Sequence, residues 1–167
     1  MSNLKNDVRI DTEGKRFKFR VAGIILHRNK ILVTKIRDNE FFFFPGGHVE
    51  LLENTDDAVV RELNEELYFE VRKKKLLYIH ENFFEARNSK FHELCFYHLV
   101  EPVDKNLKTD DIIWQENDKG EILFHNFKWI DLNEIENYDI RPKVIVENFL
   151  KNKEDFKHII TSEIKTV

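Results

Sequence analysis

The chain of 167 residues has one cysteine, one methionine and five glycines, no stretch approaching the length of a membrane span, and no large excess of either charge. With Cys95 alone, an intrachain disulfide is impossible and a secreted, disulfide-stapled fold is excluded. Cys95 stands among Leu94, Phe96 and Tyr97, the setting of a buried thiol that acts as a small hydrophobe rather than a nucleophile. Residues 1–16 are polar and mixed in charge, without the apolar centre of a signal peptide, so a cytoplasmic location away from the membrane is expected. Lys and Arg number 27 against 31 Asp and Glu, a formal charge of -4, which argues against DNA or another long nucleic acid as the partner. A small, highly charged anion is still admissible, because divalent cations reverse the sign of an acidic site locally. Internal repeats and low-complexity tracts are also missing.

What is present suits one compact domain over residues 1–167, since 41% of residues are hydrophobic. Residues 1–15 are expected to fray. Residues 17–27 alternate and then become continuously apolar, as a strand entering a core does, and 28–30 read as a turn. A second strand is expected over 31–36, and a short aromatic third over 41–44 that stops at Pro45. Thr55 reads as the N-cap of a helix running to about Leu67, with Asp56 and Asp57 in the first turn where the helix dipole favours acids. Residues 76–84 and 91–100 look like a strand pair joined by a polar connection over 85–90. Residues 101–120 read as a long loop, and 121–130 as a last strand. A short helical turn is expected over 131–136. Pro142 at N1 opens a helix carrying Val144, Ile145, Phe149 and Leu150, and the tail from 151 extends this C-terminal helical segment over 141–167. Strands around a central helix, with another helix near the C-terminus, indicate an α/β or α+β sandwich.

The chemistry lies in residues 46–53, GGHVELLE, followed by 61–66, RELNEE. At the helical repeat, Glu62, Glu65 and Glu66 form one stripe, and Val59, Val60, Leu63 and Leu67 another roughly 120° away. One face is thus buried and the other acidic. Carboxylates at i, i+3 and i+4 repel one another by about a few tenths of a kcal/mol per pair, so the stripe adds no stability by itself. It becomes favourable around a hard divalent cation, Mg²⁺ or Mn²⁺, which can bridge to phosphate and lower the pKa of an attacking water. Gly46 and Gly47 end a strand at a sharp turn, where a backbone carbonyl can approach such a cation.

These residues resemble the Nudix box, G-x5-E-x7-R-E-U-x-E-E-x-G-U with U aliphatic. Gly47, Glu53, Arg61-Glu62-Leu63 and Glu65-Glu66 stand at its spacings, a coincidence expected on the order of once in 10⁵ chains. Tyr68 replaces the final glycine, Phe69 the aliphatic residue, and Leu52 a second loop glycine that many members carry. A left-handed Tyr68 would cost roughly 1 to 2 kcal/mol, so the helix is expected to end differently from the family pattern. The likeness extends over residues 16–150, with 91–97, 129–130 and 140–142 similar to bacterial Nudix proteins of broad or unassigned specificity.

The resemblance implies an α/β/α sandwich with a mixed β-sheet and the box as a loop-helix-loop. It implies Glu62, Glu65 and Glu66 as metal-site acids with the Gly46 carbonyl as a further ligand, and a bracing ion pair between Arg61 and Glu53. Glu62, Glu93 and Glu116 are all candidates for the general base. Alternation sends Glu93 and His92 to opposite faces, and Glu93 is either part of the metal site or an ordinary polar residue. His48 is either a phosphate contact or an exposed loop residue. Phe83, Phe84 and Trp114 either stack on a base or pack in the core. Residues 72–75, RKKK, are either an RNA track or a solvated strand end. The expected activity is Mg²⁺- or Mn²⁺-dependent cleavage of the phosphoanhydride bond in a nucleoside diphosphate linked to another moiety. The alternatives are a catalytically weak nucleotide-sensing module and an RNA 5′-end pyrophosphohydrolase. A homodimer, common in this family, is a further expectation.

Overall fold

The computed structural model describes residues 6–36, 40–118 and 121–164, without the side chains of residues 36, 112, 114–118 and 121–125. Its strands in chain order begin with β1 (Arg9–Thr12), β2 (Lys15–His27), β3 (Lys30–Ile36), β4 (Phe42–Phe43) and β5 (Gly46–His48). Helix α1 (Thr55–Glu66) follows, then β6 (Val71–Ala86), β7 (Ser89–Pro102), β8 (Ile112–Asp118) and β9 (Glu121–Asp131). After a 3₁₀ turn over Ile135–Asn137 come β10 (Ile140–Arg141), α2 (Lys143–Lys151) and β11 (Lys157–Ser162).

One mixed sheet is organised around β2. Its one edge runs parallel to β7 from Lys15 to Ile25. Its other edge is shared by three antiparallel partners in turn, β1, β5 and β3. Beyond β7 the sheet continues through β6 to β11, and beyond β3 it reaches β9 and β8. Two residues at positive φ close each tight hairpin, Arg28 and Asn29 after β2, Arg87 and Asn88 after β6.

Alternation along β2 divides the core. Val21 and Ile25 pack with Val59 and Leu63 of α1, whereas Ala22 and Ile24 pack with Ile145 and Phe149 of α2. The sheet therefore lies between two helices, the α/β/α arrangement expected from the sequence.

Several boundaries differ. Residues 9–12 do not fray but pair with β2. The cap of α1 is Asn54 rather than Thr55, because the Asn54 side chain accepts from the Asp57 N–H at 2.9 Å. The helix ends through Leu67 in an extended conformation (φ -101°, ψ 150°), so Tyr68 needs no left-handed backbone. Leu52 does adopt one, at φ 68°, with its side chain in solvent. Pro142 is the N-cap of α2 rather than N1, with the Ile145 N–H bonded to its carbonyl at 3.1 Å. The expected loop over 101–120 holds over 103–111, whereas β7 runs on to Pro102 and residues 112–118 form β8, paired with β9. The C-terminal tail is not helical beyond Lys151 but forms β11, parallel to β6.

Candidate active site

Strand β5 delivers the two glycines to the middle of the molecule, with Gly46 opposite Ala22, Gly47 opposite Val21 and His48 opposite Arg20. Gly46 has φ 150°, and a Cβ there would lie 2.2 Å from the Val21 carbonyl oxygen. A Cβ on Gly47 would lie 2.0 Å from Oε2 of Glu62. The missing side chain at 47 is thus what lets the buried Glu62 carboxylate rest against the β5 backbone.

Arg61 is the hub of the box. Its Nε and Nη2 donate to the two oxygens of Glu53 at 2.7 and 2.8 Å, a bidentate pair. Nη2 also donates to the His48 carbonyl at 3.1 Å, and Glu53 accepts from the Glu50 N–H at 3.0 Å, so loop, strand and helix are tied at one point. Hydrogen bonding to Arg61 holds the Glu53 carboxyl below the usual carboxylate range. The bracing pair expected from the box is formed.

The same guanidinium gathers the acidic stripe. Nη1 of Arg61 stands 2.8 Å from Oε1 of Glu62 and 3.5 Å from Oε1 of Glu65. Glu66, half-buried, adds its charge to the surroundings of Arg20. Among the described residues no three His, Cys, Asp or Glu side chains are drawn to one point at metal-holding distance. Two of the carboxylates lean on a cationic nitrogen instead. That nitrogen shows that both can face a single positive centre, and the oxygen-only donor set suits a hard divalent cation. The Gly46 carbonyl accepts from Arg20 Nη2 at 3.3 Å, and a carbonyl oxygen carries a second lone pair.

Arg20 is a site residue that the sequence reading missed. Besides Gly46 it faces Glu93, with Nη1 3.6 Å from Oε2, and its Nε has no hydrogen-bond partner among the described residues. Burial would lower its pKa, but the Glu93 charge and more distant acids outweigh this and keep it raised. Its signal was legible as a cation two residues after Lys18 on the same face, directly before the apolar run over 21–26. Glu93 itself is nearly buried, and His92 points to the opposite face against Phe17 and Phe83, as alternation requires.

Other candidates fare differently. His48 lies in β5 rather than an exposed loop, and burial together with Arg20 pushes it down to about 4, so the ring is neutral and supplies no positive charge to a phosphate. Phe84 stacks on Phe91 with centroids 4.9 Å apart and borders a cavity of about 790 Å³ that also contains Glu93 and Arg141. Trp114 lies in β8 opposite His125, separated from β3 by β9. The side chains of Trp114 and Glu116 are outside the described residues. The basic run is neutralised, Arg72 and Lys74 by Glu101, Lys73 by Asp56, and Lys75 by Glu154. It reads as a solvated strand end.

A family model described as the NUDIX domain matches residues 17–149. An ADP-ribose pyrophosphatase of Methanocaldococcus jannaschii is 30% identical over 136 residues, 80% of this chain and 73% of that protein. An 8-oxo-dGTP diphosphatase of Buchnera aphidicola is 43% identical over 51 residues, which span only 28% of this chain and 39% of that protein. The crystal structure of a NUDIX hydrolase from Nitrosomonas europaea superposes with a TM-score of 0.60 at 17% identity, over 87% of this chain and 79% of that one, a likeness of fold. The braced box, the sandwich around it and the family match across most of the sequence agree, and the chain belongs to the Nudix hydrolase family.

Proposed function

We propose that this Nudix enzyme hydrolyses the phosphoanhydride bond of a nucleoside diphosphate linked to another moiety, with Mg²⁺ or Mn²⁺ as cofactor. The observation that carries the reading is the Glu62 carboxylate, held by Arg61 and lodged against the bare Cα of Gly47. Glu62, Glu65, Glu66 and the Gly46 carbonyl are the residues that would hold the cation. Bound there, it would neutralise phosphate charge and lower the pKa of the attacking water.

The chain's own groups do the rest. Arg61 fixes the rotamers of Glu62 and Glu65 and, through Glu53, the loop that precedes the helix. Arg20, whose Nη2 donates to the Gly46 carbonyl, offers a cation to the diphosphate. Water oxygen bonds to one phosphorus, the bridging P–O bond breaks, and the second phosphate leaves on its own oxygen. Water's proton passes to the Glu62 carboxylate at Arg61 rather than to Glu93, which faces Arg20 and the cavity beyond it.

The test is a panel of ADP-ribose, nucleotide sugars, nucleoside triphosphates and dinucleoside polyphosphates with Mg²⁺, before and after chelation. Turnover of at least one compound, abolished by chelator and restored by metal, supports the reading. Binding without product in every case would favour the nucleotide-sensing alternative. The RNA 5′-end alternative is weakened by the paired basic run.

A further inference from the structure

The face of the sheet toward α2 carries a polar row outside the box. Lys18 of β2, Glu93 of β7, Asn82 of β6 and Thr161 of β11 are successive register partners, so their side chains stand next to one another on one face. Glu93, Asn82 and Thr161 line the 790 Å³ cavity, together with Phe41, Phe84 and Arg141. The Glu93 end of the row touches Arg20, and through it Gly46, so the cavity adjoins the box.

The hydrogen bonds at the other end have a direction. The Thr161 hydroxyl donates to Oδ1 of Asn82 at 2.7 Å. Having given its one proton, it accepts from Nε2 of His80 at 2.8 Å. His80 is fully buried, and burial lowers its pKa; with the Thr161 proton given to Asn82, its contact with Thr161 calls for the tautomer protonated on Nε2. This relay occupies Oδ1 of Asn82, and the remaining polar atom of this cavity-lining side chain is the amide nitrogen, a double donor. Directly across the strand pair, with Cβ atoms about 5 Å away, stands the acceptor-only carboxylate of Glu93. A donor beside an acceptor, in a space with two aromatic residues, matches the edge of a nucleobase, where a carbonyl or ring nitrogen adjoins an N–H. A bare phosphate offers only acceptors.

Resting on the hydrolase reading above, we propose that Asn82 reads the base of the nucleotide and determines specificity, and that Thr161 and His80 are positioning residues that hold its amide in the reading orientation. The C-terminal strand is then part of substrate selection. Site-built hydrogen bonds discriminate strongly, because a wrong base leaves buried polar groups unpaired.

Calorimetric titration of ADP, GDP, CDP, UDP and inorganic diphosphate, each with Mg²⁺, tests this directly. The native chain is expected to bind the four nucleotides unequally. Asn82→Leu should weaken the preferred one about tenfold or more while its affinity for inorganic diphosphate stays within about twofold. Thr161→Val should raise KM for the best substrate of the panel without lowering kcat, and Thr161→Ser, which keeps the hydroxyl, should restore it. If Asn82→Leu does not fold, the Thr161 pair decides. The proposal is overturned if Asn82→Leu binds all four nucleotides as the native chain does or loses diphosphate equally. It is also overturned if Thr161→Val and Thr161→Ser behave alike. A native chain that binds nucleotides but hydrolyses none would count against the hydrolase reading and leave the binding comparison still decisive for Asn82.

Discussion

The two faces of the sheet handle polar groups by opposite rules. On the α1 side, charges compensate one another around Arg61, which touches three carboxylates and a carbonyl. On the α2 side, a neutral chain runs from His80 through Thr161 to Asn82. Arg20 lies at their junction, reaching the Gly46 carbonyl of the box and Glu93 of the cavity. Charge held by charge suits the placing of a cation and a diphosphate, whereas a directional neutral relay suits the reading of a shape. Changes on the first face should therefore act on kcat, and changes on the second on which nucleotide is chosen.

The sharpest break would come from Glu66→Gln, which keeps the shape and removes a charge. With metal saturating, kcat is expected to fall about 100-fold or more, with the order of preference among nucleotides unchanged. A loss of less than tenfold would remove Glu66 from the metal site.

Two glycine replacements separate chemistry from folding. In Gly47→Ala the new methyl meets the tip of the Glu62 side chain, which can swing aside, so kcat should fall by about tens of fold while the melting temperature moves by only about 2 °C. Gly46→Ala meets the Val21 backbone at a φ that disfavours Cβ, and should lower both. Equal melting temperatures for the two variants would contradict this division.

A milder effect is expected for Arg61→Lys. An ammonium cannot reproduce the bidentate hold on Glu53 together with contacts to Glu62 and His48, so kcat should fall about tenfold. Activity equal to the native chain's would show that charge alone, not geometry, braces the box.

The smallest effect concerns stability. Burial pushes His48 and His98 down to about 4, and His98 lies under the first turn of α1 with Nδ1 3.6 Å from Asp56. In the unfolded chain both take up protons below about 6.5, whereas in the folded chain they do so only near 4. The unfolded state thus binds more protons in that window, and stability should fall as pH drops from about 6.5 to 4. Urea unfolding measured across the window tests this, and a flat profile would contradict the burial of the two rings.

How much was legible follows from sequence distance. The box could be read because its contacts are local, with Arg61 reaching Glu53 and His48 within one loop and helix. Strands β2, β3, β6, β7 and β9 announced themselves by apolar alternation that the sheet then used. β8 did not, because only Ile112, Ile113 and Trp114 precede a polar stretch, and its pairing with β9 supplies what its own pattern lacks. The tail that forms β11 reads as helix because it follows one, whereas its partner β6 lies some eighty residues earlier, where pairing overrides local preference. Asn82, Thr161 and His80 were invisible for the same reason, since only the register of four strands brings their row together. Arg20 stood between these cases, visible as a charge in a core strand but without a partner until β5 was placed beside it.

Uptake of metal by the resting protein tests the central claim most directly. Titration of Mg²⁺ or Mn²⁺ into the native chain should show saturable binding at about millimolar concentration or below, lost in Glu62→Gln and Glu66→Gln. A folded native chain that takes up neither ion, or variants that bind as well as it does, would contradict the assignment of these glutamates.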